Sequence, residues 1–233
     1  MKVKMKHKSL AINQADIASF LEKSHAIDKS DVLKFICRLA GSKIQSTLSS
    51  GVFSFTEQYH KMGDLSLAIS PEQGMFAYQM ARLTGARRIV EFGTSFGVST
   101  IYLASALKDN GAGKVIGSEF VKSKVEAAKN NLKQLGLLKW ADIRLGDARV
   151  TLADPGGPVD MVLLDGSKDM YLEIIQILKP YLHAGSVVLA DNVTSPFIRK
   201  TLSGYVKYMQ NLENGFMSLT LPFKDGFEFS IKM

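Results

Sequence analysis

Apolar residues recur at three- and four-residue spacing through residues 10–60, where Ile17, Phe20 and Leu21 and then Val32, Leu33, Ile36, Leu39 and Ala40 would line helix faces. Asp16 and Asp31 fall where early-turn acids belong. Ser70-Pro71-Glu72-Gln73 predicts a helix start, with Ser70 as N-cap and Pro71 at the first helical position, and a helix to about Thr84. Beyond it, short near-continuous apolar runs alternate with helical periodicity. Strands are expected at 88–92, 114–118, 142–145, 159–164 and 186–190, with helices at 98–108, 122–135, 168–182 and within 197–212. This rhythm predicts an α/β fold, a parallel sheet covered on both faces. The last two runs, 216–221 and 227–232, are joined by Pro-Phe-Lys-Asp-Gly, too short for a crossover helix, so they predict an antiparallel hairpin.

A doubly wound parallel sheet closed by an antiparallel hairpin resembles the class I methyltransferase (Rossmann-like) fold and not a nucleotide-binding dehydrogenase. With 233 residues, the expectation is a single domain over 1–233, residues 1–69 forming an N-terminal helical extension or lid and 70–233 the catalytic core. Hydrophobic content of 46% and charged content of 22% match a soluble globular protein. No apolar run approaches membrane-spanning length, the basic start leads into no apolar stretch, and a single cysteine, Cys37, excludes an internal disulfide. A cytoplasmic location is expected. The net charge of +7 is concentrated in Lys2, Lys4, Lys6 and Lys8. That tail reads as a solvated charge run or as attraction to a polyanion such as nucleic acid.

The chemistry begins at Ile89-Val90-Glu91-Phe92-Gly93-Thr94-Ser95-Phe96-Gly97, a strand, a glycine turn and a helix start. Such a turn brings backbone N–H groups to a ligand at the carboxyl end of the first strand. Gly93, Thr94, Ser95, Gly97 and Ser99 are its candidate donor-site residues. Ser95 stands where a dinucleotide fingerprint would need its second glycine; S-adenosylmethionine carries no phosphate and relaxes that need. Glu91 is placed to act on the donor's ammonium, directly or through water. Glu119, with Phe120 beside it, ends the second strand and is placed to accept hydrogen bonds from both ribose hydroxyls. Asp147, followed by Ala148, ends the third strand and is either an adenine contact or a plain N-cap.

Two later segments carry hard oxygen ligands at strand ends: Leu-Leu-Asp-Gly-Ser-Lys-Asp at 163–169 and Leu-Ala-Asp-Asn at 189–192. Asp165, Asp191 and Asn192 with Lys168 alongside suggest a divalent cation that binds a substrate hydroxyl next to a proton acceptor.

Together these residues resemble a family-3 O-methyltransferase, the group that includes catechol and caffeoyl-CoA O-methyltransferases, from about Ser70 to the C-terminus. Glu-Phe-Gly-Thr-Ser-Phe-Gly-Val-Ser-Thr resembles the family's donor loop. Val-Asp-Met-Val-Leu-Leu-Asp-Gly-Ser-Lys-Asp-Met-Tyr-Leu and Val-Val-Leu-Ala-Asp-Asn-Val resemble its metal segments. The resemblance implies Asp165, Asp191 and Asn192 as ligands of Mg²⁺ or Ca²⁺, Asp165 also beside the donor, Lys168 as general base and Glu119 on the ribose. It implies S-adenosylmethionine as methyl donor, a small hydroxylated substrate (catechol-like or vicinal-diol) and a homodimer. A modified tRNA base is the alternative acceptor, and a metal-independent methyltransferase a second alternative. Gly166 and Ser167 stand where animal catechol enzymes carry His and Trp, which suggests a wider pocket or one filled by Tyr59, His60 or Met62. Ser218-Leu219-Thr220 supplies no acid to hold a second catechol hydroxyl.

Overall fold

The computed structural model describes residues 10–26, 68–196 and 198–233. The readings made for Lys2 to Lys8, Asp31 to Ala40 and Tyr59 to Met62 lie outside them. The chain enters through a 3-10 turn, Ala11–Asn13, and helix α1, Ala15–His25, with Asp16 in its first turn. Helix α2, Pro71–Leu83, starts on a capping box: the Ser70 hydroxyl accepts from the Gln73 N–H, and Gln73 Oε1 accepts from the Ser70 N–H at 2.8 Å.

Seven strands follow: β1 Arg88–Phe92, β2 Lys114–Glu119, β3 Ala141–Leu145, β4 Val159–Leu164, β5 Leu182–Asp191, β6 Phe216–Leu221 and β7 Phe227–Lys232. They form one sheet of order β3-β2-β1-β4-β5-β7-β6. The first five strands are parallel, and β7 pairs antiparallel with both β5 and β6. The expected terminal hairpin is therefore present, and β7 inserts itself between β5 and β6.

Because side chains alternate across a strand, the sheet sorts its residues onto two cores. Ile89, Val115, Met161, Leu163 and Leu189 pack under α1, α2, helix α3 (Val98–Asn110) and helix α4 (Lys122–Gln134). Val90, Phe92, Val162, Leu164 and Val188 pack against α5 (Ala148–Thr151), α6 (Tyr171–Leu178) and α7 (Arg199–Gln210). Among the described residues no helix is long and apolar enough to cross a membrane.

A helix and the strand after it depart from their expected spans. The pattern predicts a helix over 168–182, but α6 is flanked by the 3-10 turns Lys168–Met170 and Lys179–Tyr181, and Leu182 already starts β5. Pro180 lacks the N–H that an α-helix would use there, so the helix tightens and stops. The pairing of β4 with β5 then skips from Val159–Leu182 to Met161–Val187, leaving His183, Ala184 and Gly185 exposed as a bulge.

Candidate active site

Two strand ends build the acidic half of the site. Leu164 pairs with Ala190 across β4 and β5, so Asp165 and Asp191, each one residue further, emerge side by side from the same edge of the sheet. Asp191 is 5% exposed. Burial, then the charge of Asp165, pushes its carboxyl up to about 7, against the opposing pull of Lys168. Lys168 reaches back from the turn after β4: its Nζ lies 2.9 Å from Asp165 Oδ1 and donates to the Tyr171 hydroxyl at 2.7 Å. Asn192 follows with φ +68, a left-handed conformation that asparagine tolerates better than most residues.

Two carboxylates crowded beside one ammonium form a net negative pocket in low dielectric, the electrostatic setting a hard cation relieves. Among the described residues no three His, Cys, Asp or Glu side chains cluster as ligands. The carboxylates of Asp165 and Asp191 are hard oxygen donors, of the kind that suits Mg²⁺ or Ca²⁺ and not a softer metal.

The loop after β1 supplies the other half. Gly93, Thr94, Ser95, Ser99 and Asp165 line one small cleft, with Ile69 also in its wall. Ser95 has φ +48, so the position that would be the second glycine of a dinucleotide loop keeps the left-handed backbone with a serine. Glu119 holds it there, Oε2 accepting the Ser95 N–H at 2.9 Å while Oε1 accepts the Val121 N–H at 2.8 Å. The loop and the acid expected on the ribose are thus one hydrogen-bonded unit. Gly97 sits at φ +86 as the N-cap of α3, with the Ala128 Cβ 3.2 Å from where its own would stand.

Glu91 is tied into the loop by hydrogen bonds. It is 0% exposed, and hydroxyls fill both of its oxygens: Ser99 on Oε1 at 2.7 Å, Thr94 and Thr100 on Oε2 at 2.8 and 2.6 Å. Desolvation raises its pKa while the three hydroxyls pull the other way. In this arrangement Glu91 staples the loop after β1 to the start of α3. Gly117 makes this possible, since a Cβ there would lie 2.3 Å from Thr94 Oγ1 and 3.2 Å from Glu91 Oε2. A glycine inside a strand is the sequence signal of such a close approach.

At the third strand, Asp147 caps α5 by accepting the Arg149 N–H and pairs with the Arg149 guanidinium, which lowers its carboxyl pKa. The N-cap alternative therefore holds in this structure. Ala148 is buried in the second core, and Phe120 is 42% exposed at the end of β2.

Gly166 changes meaning. A Cβ there would meet the Phe92 ring at 2.6 Å. That ring is 7% exposed and locked edge-on against Tyr171, with 6.2 Å between centroids. The space that a side chain at Gly166 would need is taken by phenylalanine. Gly166→Ala should overpack this contact and cost about 1–3 kcal/mol, and Phe92→Leu in the same chain should recover most of it. Thermal melts of the wild type and the two variants check this; a neutral Gly166→Ala would remove the packing account. The one acid of the terminal hairpin near Thr220, Glu228, is fully buried and accepts from Gln210, Ser218 and Thr220, so it offers nothing to a substrate.

Sequence reasoning missed Gln73 as a site residue. Its Nε2 donates to Asp191 Oδ1 at 2.6 Å from 118 residues away. The pattern Ser-x-x-Gln announced a capping box, but no local pattern announces this contact.

Known proteins are similar to this chain. The family described as a methyltransferase domain matches residues 90–193. A catechol O-methyltransferase of Niastella koreensis is 34% identical over 142 residues, 59% of this chain and 63% of that protein. One of Mycobacterium tuberculosis is 34% identical over 128 residues, 54% of this chain and 57% of that protein. The chain thus matches under two-thirds of the length of either relative. The O-methyltransferase TomG of Streptomyces achromogenes, solved in complex with SAM, superposes with a TM-score of 0.66 at 29% identity, covering 76% of this chain and 86% of that one.

Proposed function

We propose that this chain, which carries a methyltransferase domain over residues 90–193 and resembles the catechol O-methyltransferases in sequence, transfers a methyl group from S-adenosylmethionine to one hydroxyl of a small molecule with adjacent hydroxyls. The reading includes a Mg²⁺ or Ca²⁺ ion held by Asp165, Asp191 and Asn192, with residues 70–233 as catalytic core. The observation that carries it is Asp165, which lines the donor-loop cleft and also stands beside Asp191 and Lys168. Methyl donor and acceptor oxygen would therefore meet at one residue.

When bound, the donor supplies an electrophilic methyl group and the cation lowers the pKa of a coordinated hydroxyl. The chain's own residues do the rest. Gly93, Thr94, Ser95 and Gly97 let the backbone approach the donor, Ser99 and Glu91 brace that loop, and Glu119 accepts from the ribose. Phe120, Asp147 and Ala148 border the adenine end. Lys168 takes the substrate proton at Nζ, with Asp165 and Tyr171 fixing where that nitrogen sits. Holding the oxyanion in line with the methyl group supplies most of the rate.

Turnover of a catechol is expected to stop on adding EDTA and to return with excess Mg²⁺, measured as methyl transfer from labelled S-adenosylmethionine. Turnover that survives chelation would remove the metal, and a failure to methylate any catechol or flavonoid would remove the substrate class.

A further inference from the structure

The side chain of Gln73 bridges three segments that have no sequence proximity. Oε1 accepts the Ser70 N–H at the start of α2. Nε2 donates to Asp191 Oδ1 at the end of β5, at 2.6 Å, and approaches the Lys224 carbonyl of the β6–β7 turn at 3.4 Å. The residue is 2% exposed. Donor and acceptor logic fixes its amide: the flipped rotamer would set oxygen against a carboxylate and an NH₂ against an N–H.

Asp191 receives a second bond from the Asn192 N–H at 2.8 Å, and it too lands on Oδ1. Two donors on one oxygen pin the carboxylate plane and leave the work of coordination to Oδ2. A buried carboxylate without such donors could rotate and lose its ligand geometry. Outer partners that orient a ligand typically change metal affinity by about 10–100-fold when removed.

We infer that Gln73 is a positioning residue for the divalent cation, holding Asp191 so that Oδ2 faces the ion and tying that ligand to the N-terminus of α2. The inference rests on the metal reading of Asp165, Asp191 and Asn192. It also gives the capping box a second purpose, since the residue that closes the helix start is the one that holds the ligand.

The test is Mg²⁺ affinity by titration calorimetry on the full chain, without substrate, beside thermal melts. Gln73→Leu is expected to weaken Mg²⁺ binding at least tenfold. Gln73→Asn, one methylene shorter, should weaken it as well. Ser70→Ala removes only the hydroxyl arm of the capping box; it should lower the melting temperature and leave Mg²⁺ affinity unchanged. Gln73 variants that bind Mg²⁺ like the wild type overturn the positioning role while the metal reading stands. A wild-type chain that binds no Mg²⁺ overturns the metal reading, and the inference falls with it. Equal losses of affinity in Ser70→Ala and the Gln73 variants would show a general effect of the helix start and would also overturn it.

Discussion

Lys168→Ala is expected to lower kcat by about 10²- to 10⁴-fold, the range general base catalysis contributes, while Mg²⁺ affinity holds or strengthens. Both halves follow from the same geometry. Nζ is the basic nitrogen beside the two acids, and it occupies Asp165 Oδ1 at 2.9 Å. Removing the ammonium removes a competitor for that carboxylate. Lys168 and Asp165 are 11% and 14% exposed, so the pair is screened far less than a surface ion pair. Lys168→Arg is the sharper variant. Arginine keeps the positive charge but cannot give up its proton to serve as a base. If Lys168 takes the substrate proton, arginine should be as inactive as alanine; if it only pairs with Asp165, arginine should restore most of the rate. Steady-state methyl transfer with saturating donor separates the two.

Gly93→Ala is expected to be strongly damaging to both stability and donor binding. Gly93 has φ +98, and a Cβ there would lie 2.6 Å from the Gly166 nitrogen and 2.7 Å from the Asp165 carbonyl carbon and oxygen. Those are backbone atoms and cannot rotate away, so the ends of β1 and β4 would have to part. Backbone strain of about 1–3 kcal/mol adds to an overpacking cost of about 1–3 kcal/mol. At about 2–4 °C per kcal/mol for a chain of this size, the melting temperature should fall by roughly 5–20 °C. Donor affinity should fall too, because the displaced segment carries Asp165. Gly136→Ala is the control: it has φ +65 but nothing within 4 Å of its added Cβ, so it carries strain without collision. Equal melting temperatures for the two variants would sink the close-approach argument.

Much of the fold is legible in the order of residues, because period and punctuation are local. Apolar runs specify β1 and β4 at their observed bounds, alternation with a short Asp-Gly turn specifies the terminal hairpin, and the Ser-Pro-Glu-Gln start of α2 is visible as a cap. The donor loop and the Asp165 and Asp191-Asn192 segments are legible for a related reason. Ligand groups of an α/β sheet gather where strands end, and a strand's end shows as the end of its apolar run.

What the sequence leaves open are relations between distant residues, which the order of strands and the packing of helices decide. Only the pairing of β4 with β5 puts Asp165 beside Asp191. Only the seat of α2 on the sheet brings Gln73 to Asp191. The hydroxyls that α3 turns onto Glu91 and the Phe92 ring against Gly166 likewise show only in the packed chain. Periodicity encodes which face a side chain takes within its own element. Which side chain meets it from another element is set by the burial of both, and that exists only once the sheet has closed its two cores.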